Sequence, residues 1–392
     1  MKIVRIIARL NVGGPAIHVI LLTHEFRKRG HESLLVVGPV PENEGNMEYY
    51  ASRLNVPLIR VSELVRPLSL KNDWVAFWKI FRLLRREKPD IVHTHTAKAG
   101  TLGRAAAILV GTPVILHTFH GNVFDGYFSP ARTRLFLFIE RFLARFTDRI
   151  ISISRSQSDE LINRYKIGTR DKLEVVRLGV DLDTLREVEG TSQYQTEERK
   201  NHSLVIGWVG RFTEIKDPLF FVDFAAAMKS SGTPAKFVMV GDGHLRQAIE
   251  ARISEYGLQG YFLLSGWQRE MAQVYSSIDL MALTSLNEGT PVTMIEAMAT
   301  SRPFVAFDVG GLPDLMTGAP QRYEGFDVFD NGILVGPRDV GIFVKAVSLL
   351  AQDPERRVRM GQMGKAFAFG NFSKERLVQD MEALYKKLRF SA

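Results

Sequence analysis

Cysteine is absent from the 392 residues, which excludes disulfides, thiolate metal sites and cysteine nucleophiles. Long apolar runs are missing too: no uninterrupted stretch approaches the roughly 18 residues needed to span a bilayer. Met1–Leu10 is largely apolar, but Arg5 and Arg9 interrupt it and no small-residue cleavage site follows. It reads as a first buried strand, not as a signal peptide. Neither the three-glycine dinucleotide fingerprint nor the Gly-Lys-Ser/Thr of a P-loop occurs, which disfavours a dehydrogenase. Short internal repeats and low-complexity tracts are also lacking. What remains is a globular composition, 45% hydrophobic and 24% charged, at a length that suits two domains.

The net charge of +8 is uneven. Residues 1–190 carry 29 Lys and Arg against 20 Asp and Glu, and the remainder carries 22 against 23. A basic half attracts nucleic acid, anionic lipid or a phosphorylated acceptor, although charge kept for solubility gives the same count.

Strand-like and helix-like segments alternate, which predicts α/β architecture with parallel sheets. Strands are expected at residues 3–8, 33–38, 90–93, 113–118, 149–153 and 173–176, with helices at 16–29, 74–86, 133–146 and 156–165. Residues 187–202 are polar and aperiodic and read as a linker. The rhythm then restarts with strands at 204–209, 237–240, 262–265, 280–284 and 303–307, and a final amphipathic helix follows Ser373. The expected organisation is a Rossmann-like domain over 1–186, a second over 203–372, and a helix at about 373–392. Ligand sites in such sheets lie beyond the carboxyl ends of the strands, and two facing sheets place the site in a cleft between domains.

Several segments carry candidate chemistry. Asn11-Val12-Gly13-Gly14-Pro15 follows the first strand, where Gly14 allows close backbone approach to a phosphate and Pro15 suits a helix start. A tight turn without a ligand fits the same residues. After the strand at 204–209 come Gly210-Arg211-Phe212 and then Lys216-Asp217-Pro218, placing Arg211 and Lys216 where a fork and a point charge clamp a diphosphate. Gly241-Asp242-Gly243 is another strand-to-helix turn. The most specific segment is Asn287-Glu288-Gly289-Thr290-Pro291, running on to Glu296. Were it wholly helical, eight positions would separate Glu288 and Glu296 by ~12 Å, the scale of a sugar–diphosphate–ribose chain. A helix-cap carboxylate and a partnered buried glutamate are the bland alternative.

Two Rossmann-like halves, Gly13-Gly14, Gly210-Arg211 with Lys216, the Gly241-Asp242-Gly243 turn and the Glu288/Glu296 spacing resemble the GT-B retaining glycosyltransferases of family four. The likeness covers nearly the whole chain. HTHTAKAGTLGR (93–104) and HTFHGNVFDGYF (117–128) are similar to bacterial members that build surface polysaccharide and lipopolysaccharide, and RLGVDLDTLR (177–186) matches the family's domain junction. The resemblance implies a nucleotide diphosphate sugar as substrate, uridine being favoured as the base. Gly14, Arg211, Lys216, Gly289, Thr290 and Glu296 would hold this donor, with Arg211 and Lys216 on the diphosphate and Glu296 on the ribose. Glu288 and His120 would lie at the transferred sugar. It also implies retention of anomeric configuration by front-face displacement, no cofactor, no metal and no nucleic-acid partner. The acceptor would be a glycan or lipid-linked sugar, the location cytoplasmic, with possible peripheral contact at the inner face of the cell membrane. After Gly210 many relatives carry Lys-Gly where this chain reads Lys216-Asp217. An epimerase, a hydrolase or a non-catalytic sugar-nucleotide binder would use similar residues.

Two further groups invite readings. His93, His95, His117 and His120 suggest zinc, with His93 and His95 on one strand face, but no carboxylate at metal-site spacing accompanies them. Tyr127–Arg149 joins Phe128, Phe136, Phe138, Phe142 and Phe146 to Arg132, Arg134, Arg141, Arg145 and Arg149, a pattern suited to a membrane interface or, for the phenylalanines, to the core. Trp74, Phe77, Trp78 and Phe81, followed by Arg82, Arg85 and Arg86, form a second such pattern.

Overall fold

The computed structural model describes residues 1–41, 45–65, 67–121, 129–188 and 204–391. It comprises two compact units. The first holds seven strands: β1 (Lys2–Ile7), β2 (Glu32–Val37), β3 (Leu58–Arg60), β4 (Ile91–His95), β5 (Val114–Phe119), β6 (Arg149–Ser152) and β7 (Leu173–Val175). They form one wholly parallel sheet in the order β3-β2-β1-β4-β5-β6-β7. Every residue of β4 and β5 is buried, as expected of parallel strands covered by helices on both faces. The chain runs outward from β1 to β3 and returns at β4, so a topological switch point lies between β1 and β4.

The helices form for local reasons. In Leu70–Glu87 the Ser69 hydroxyl caps the start by accepting from the Asn72 N–H at 3.3 Å, Lys88 closes it in the left-handed conformation, and Ala76, Ile80, Leu83 and Leu84 make the buried stripe. Pro130 opens the helix Pro130–Ala144. The helix expected at 156–165 is divided into an α-helix, Arg155–Asp159, and a π-helical turn, Glu160–Arg164. The last helix, Lys374–Ser391, belongs to the first unit. Its Leu377, Val378, Met381 and Tyr385 are fully buried with Ile3, Leu22, Phe26 and Ile91.

The second unit holds β8 (Leu204–Val209), β9 (Ala235–Val240), β10 (Phe262–Leu264), β11 (Leu280–Leu283), β12 (Phe304–Phe307), β13 (Gln321–Tyr323), β14 (Phe326–Val328) and β15 (Gly332–Val335). Their order is β10-β9-β8-β11-β12-β15-β14-β13. The first six repeat the winding of the first sheet and place a second switch point between β8 and β11; β13 and β14 extend the edge antiparallel. The units divide between Gly179 and Val180, upstream of residue 186. The reason is apolar: Val180, Leu182 and Leu185 are buried in the second core with Leu283, Met294 and Phe372. Of the expected linker, only Glu187 and Val188 lie within the described residues.

Candidate functional site

At the switch point of the first sheet, β1 feeds the helix Gly14–Lys28, with Gly14 as its first residue and His18 one turn on, buried. His95 ends β4, and His120 follows β5 directly. These elements bring three imidazoles together: one ring nitrogen from each of His18, His95 and His120 lies within 4.8 Å of the others. The His95 Nδ1 and His120 Nε2 atoms are hydrogen-bonded at 2.9 Å. Both nitrogens of His18, Nε2 of His95 and Nδ1 of His120 are buried without a partner among the described residues.

The four histidines singled out for zinc are thus not one group. His117 bonds Thr94 at 2.9 Å and packs on Gly100, where a Cβ would come within 2.4 Å of its ring. His93 does lie beside His95, ring centroids 4.2 Å apart, but its nitrogens are committed elsewhere. Arg5 donates to the Tyr385 hydroxyl at 3.5 Å, that hydroxyl shares a hydrogen bond with His93 Nδ1 at 2.6 Å, and His93 Nε2 shares one with the Thr118 hydroxyl at 2.7 Å. Metal-ligating histidines ordinarily hand their second N–H to an outer acceptor. Both nitrogens of His18 lack such an acceptor among the described residues, while His95 and His120 use one nitrogen each on one another. Burial pushes His18, His93, His95 and His117 well below the ordinary imidazole value and His120 down to about 3, so all five are neutral. Arg5, buried with no carboxylate paired to it among the described residues, adds to that effect on His18, His93 and His95.

The second unit assembles the acidic and basic candidates. Half-buried Arg211 follows β8, and Lys216 closes a short 3-10 turn, Glu214–Lys216. Glu288 lies in the loop after β11. The Lys216 ammonium and the Glu288 carboxylate form an ion pair, side chains 21% and 8% exposed, and the Ser285 hydroxyl donates to the same carboxylate oxygen at 2.6 Å. Gly310 and Gly311 let the following loop close on this carboxylate's backbone. Gly311 N–H donates to the Glu288 carbonyl at 3.1 Å, and a Cβ at left-handed Gly310 would stand 1.9 Å from that oxygen.

Gly289 and buried Thr290 continue the loop, with the Thr290 hydroxyl lacking a partner among the described residues. The helix starts only at Val292 and runs to Ala299, with Pro291 at its cap. The segment from Glu288 to Glu296 is therefore half loop and half helix, because Pro291 supplies no N–H to an earlier turn, and the ~12 Å helical separation does not describe it. Glu296 accepts from the Tyr275 hydroxyl at 2.7 Å. Burial pushes its carboxyl up to about 7, while that hydrogen bond works against the shift. The Gly241-Asp242-Gly243 turn has a packing role: a Cβ at Gly241, φ 133°, would stand 1.8 Å from the Gly210 carbonyl oxygen, and Phe212 N–H donates to the Asp242 carbonyl at 2.9 Å.

The structure thus groups Arg211, Lys216, Glu288, Gly289, Thr290 and Glu296 in one unit, and Gly14 with His120 in the other. Sequence reasoning missed His18, Tyr275 and Ser285. For His18 the signal was its spacing from Gly14; for Tyr275 and Ser285 no local pattern exists, since their partners come from the tertiary fold.

Residues 12–184 match the model of Glycosyltransferase Family 4, and residues 203–353 match that of Glycosyl transferases group 1. The chain is 30% identical over 298 residues to the UDP-Gal:α-D-GlcNAc-diphosphoundecaprenol α-1,3-galactosyltransferase of Escherichia coli, covering 75% of this chain and 74% of the relative. It is 27% identical to the 2-deoxystreptamine N-acetyl-D-glucosaminyltransferase of Streptomyces fradiae, covering 88% and 84%. Among solved structures, Anabaena HepE in complex with UDP and glucose superimposes with a TM-score of 0.80 at 18% identity, covering 98% of this chain and 99% of HepE. Two sheets each wound as a Rossmann fold, matched family models on both halves and a relative at this identity lead to one conclusion: the chain belongs to the family-four glycosyltransferases and has the GT-B fold.

Proposed function

We propose that the enzyme moves a hexosyl or N-acetylhexosaminyl group from a uridine diphosphate donor to a glycan or lipid-linked acceptor in surface-polysaccharide synthesis, with retention and without a metal. The observation that carries this reading is the meeting of Lys216 and Glu288 just beyond β8 and β11, at the switch point of the second sheet. Arg211 and Lys216 take the diphosphate, with Gly289, Thr290 and the N-terminus of the helix Val292–Ala299 beside it. Glu296 accepts from the ribose hydroxyls. Glu288 faces the sugar, a role the family resemblance gives to His120 as well, with Gly14 as a further donor-binding residue. Charge developing on the leaving phosphate is met by fixed cations and amides, which favours front-face displacement with the phosphate taking the acceptor proton.

Turnover separates this reading from its rivals. A transferase consumes donor only with acceptor present and gives a product of unchanged anomeric configuration by NMR; an epimerase or hydrolase consumes donor alone, and a mere binder consumes none. Activity should persist in excess EDTA. Loss restored by Mg²⁺ or Mn²⁺ would overturn the metal-free part.

The first unit supports contact with the inner face of the cell membrane. The helix Ala97–Val110 lies between Leu70–Glu87 and Pro130–Ala144, touching both. Trp74, Trp78, Leu109, Phe138, Phe142 and Phe146 are exposed on these helices and just past the last, as are Arg82, Arg85, Arg86, Arg132, Arg134, Arg141 and Arg145. Phe136, Phe77 and Phe81 pack instead against buried clusters, so the aromatic residues divide between core and surface; Tyr127 and Phe128 lie outside the described residues. Among the described residues no helix is long and apolar enough to cross a membrane.

A further inference from the structure

The loops that present Lys216 and Glu288 are joined by a residue from a third loop. Arg338 follows β15, and its guanidinium carbon lies 4.2 Å from the ring centroid of Phe307 and 5.3 Å from that of Phe220. From this aromatic seat it reaches both loops. Its Nη2 pairs with the Asp217 carboxylate and donates to the Thr284 carbonyl at 3.1 Å, and its Nη1 donates to the Ser285 carbonyl at 3.3 Å. Asp217 is the neighbour of Lys216, and Ser285 is the residue whose hydroxyl holds Glu288. The Thr284 hydroxyl closes the same seam from the other side, donating to the Asp217 carbonyl at 2.8 Å with the Lys216 carbonyl at 3.1 Å.

Asp217 gives the seam its leverage. It has φ 44° and ψ 60°, a left-handed conformation that a non-glycine residue rarely adopts. Its carboxylate holds it there twice, by capping the helix Pro218–Ser230 through the Phe220 N–H at 3.3 Å and by pairing with Arg338.

We infer that Arg338 is a positioning residue for the donor diphosphate: it sets Lys216 and Glu288 against each other by clamping the backbones of their loops. This rests on the proposed donor role of Lys216 and Glu288. A planar fork reaching two main-chain carbonyls and a carboxylate while stacked on Phe307 is a task for arginine, and lysine cannot reproduce it.

The test compares uridine diphosphate with uridine monophosphate by calorimetry, for the intact protein and for Arg338→Gln, Arg338→Lys, Asp217→Asn and Lys216→Ala, with melting temperatures measured alongside. In Arg338→Gln the diphosphate should bind about tenfold more weakly, as expected for a charged group displaced by a fraction of an ångström, and the monophosphate much less so. Arg338→Lys should restore only part of the loss. Asp217→Asn removes the same ion pair from the other side and should shift the same ratio, which keeps the question open to measurement if Arg338→Gln does not fold. An unchanged diphosphate-to-monophosphate ratio in the Arg338 and Asp217 variants, with Lys216→Ala weakened, overturns the clamp and leaves the donor site standing. Equal weakening of both nucleotides with a lowered melting temperature shows general loosening and also overturns it. Unchanged diphosphate affinity in Lys216→Ala, or no nucleotide bound by the intact protein, removes the donor reading and the clamp with it.

Discussion

Glu296 is the side chain whose ionisation matters most to the donor reading. Burial raises its carboxyl from the ordinary 4.5 to about 7, and the Tyr275 hydroxyl holds it from rising further. An ionised carboxylate is the better acceptor for ribose hydroxyls, so donor affinity should increase as pH rises through about 7. Tyr275→Phe should move that rise to higher pH; a calorimetric pH series reads both, and a flat profile would remove Glu296 from the ribose. Stability runs the opposite way. A folded-state value above the unfolded one gives stability fully present below about 4.5 and lost as pH rises through 7, at most about 3 kcal/mol from the size of the shift, reduced because the Glu296 side chain as a whole is only half-buried. Glu296→Gln stays neutral throughout, so the unfolding free energy of this variant relative to the intact protein should climb between pH 5 and 8. The five depressed histidines act in the reverse sense, their stability being present above 6.5 and lost as pH falls. They contribute equally to both proteins and cancel in the comparison.

Among the elements, the helix Lys374–Ser391 carries the clearest prediction. Tyr385 joins buried Arg5 to His93, so Tyr385→Phe leaves two buried polar groups short of a partner and should cost about 1–3 kcal/mol. Leu377→Ala, in the same buried cluster, should cost about 2–5 kcal/mol by opening a cavity. Denaturant unfolding measures both, and values under about 0.5 kcal/mol, the level of surface changes, would mean the helix is not anchored by these contacts. The helix was legible in the sequence because a serine precedes an amphipathic run, and β1, β2, β4 and β5 were legible as short runs rich in β-branched and apolar residues, although β4 and β5 also bury His93, Thr94, His95, His117 and Thr118. β3 and the β13–β14 hairpin were not, since no residue of Leu58–Arg60 is fully buried and Gln321–Tyr323 is exposed throughout. Site residues divided the same way. Lys216, Glu288 and Glu296 lie in segments with a spacing to read, whereas Arg338 and Tyr275 act through partners 121 and 21 residues away.

For the whole molecule, the excess positive charge of residues 1–190 and the exposed aromatic residues of the first unit predict binding to anionic membrane. Each basic residue near such a surface contributes about 1 kcal/mol, screened by salt. The intact protein should therefore co-sediment with anionic vesicles at low salt and less at high salt, and Arg132→Gln with Arg134→Gln and Arg141→Gln together should bind more weakly. Indifference to anionic vesicles at low salt would favour a soluble acceptor. The central claim, that the second unit holds a nucleotide diphosphate sugar, is tested most directly by titrating uridine diphosphate into the intact protein, Arg211→Ala and Lys216→Ala in a calorimeter. Loss of a charged hydrogen bond to phosphate, about 1.5–3 kcal/mol, predicts roughly ten- to hundredfold weaker binding in either variant. Affinity unchanged in both would contradict it.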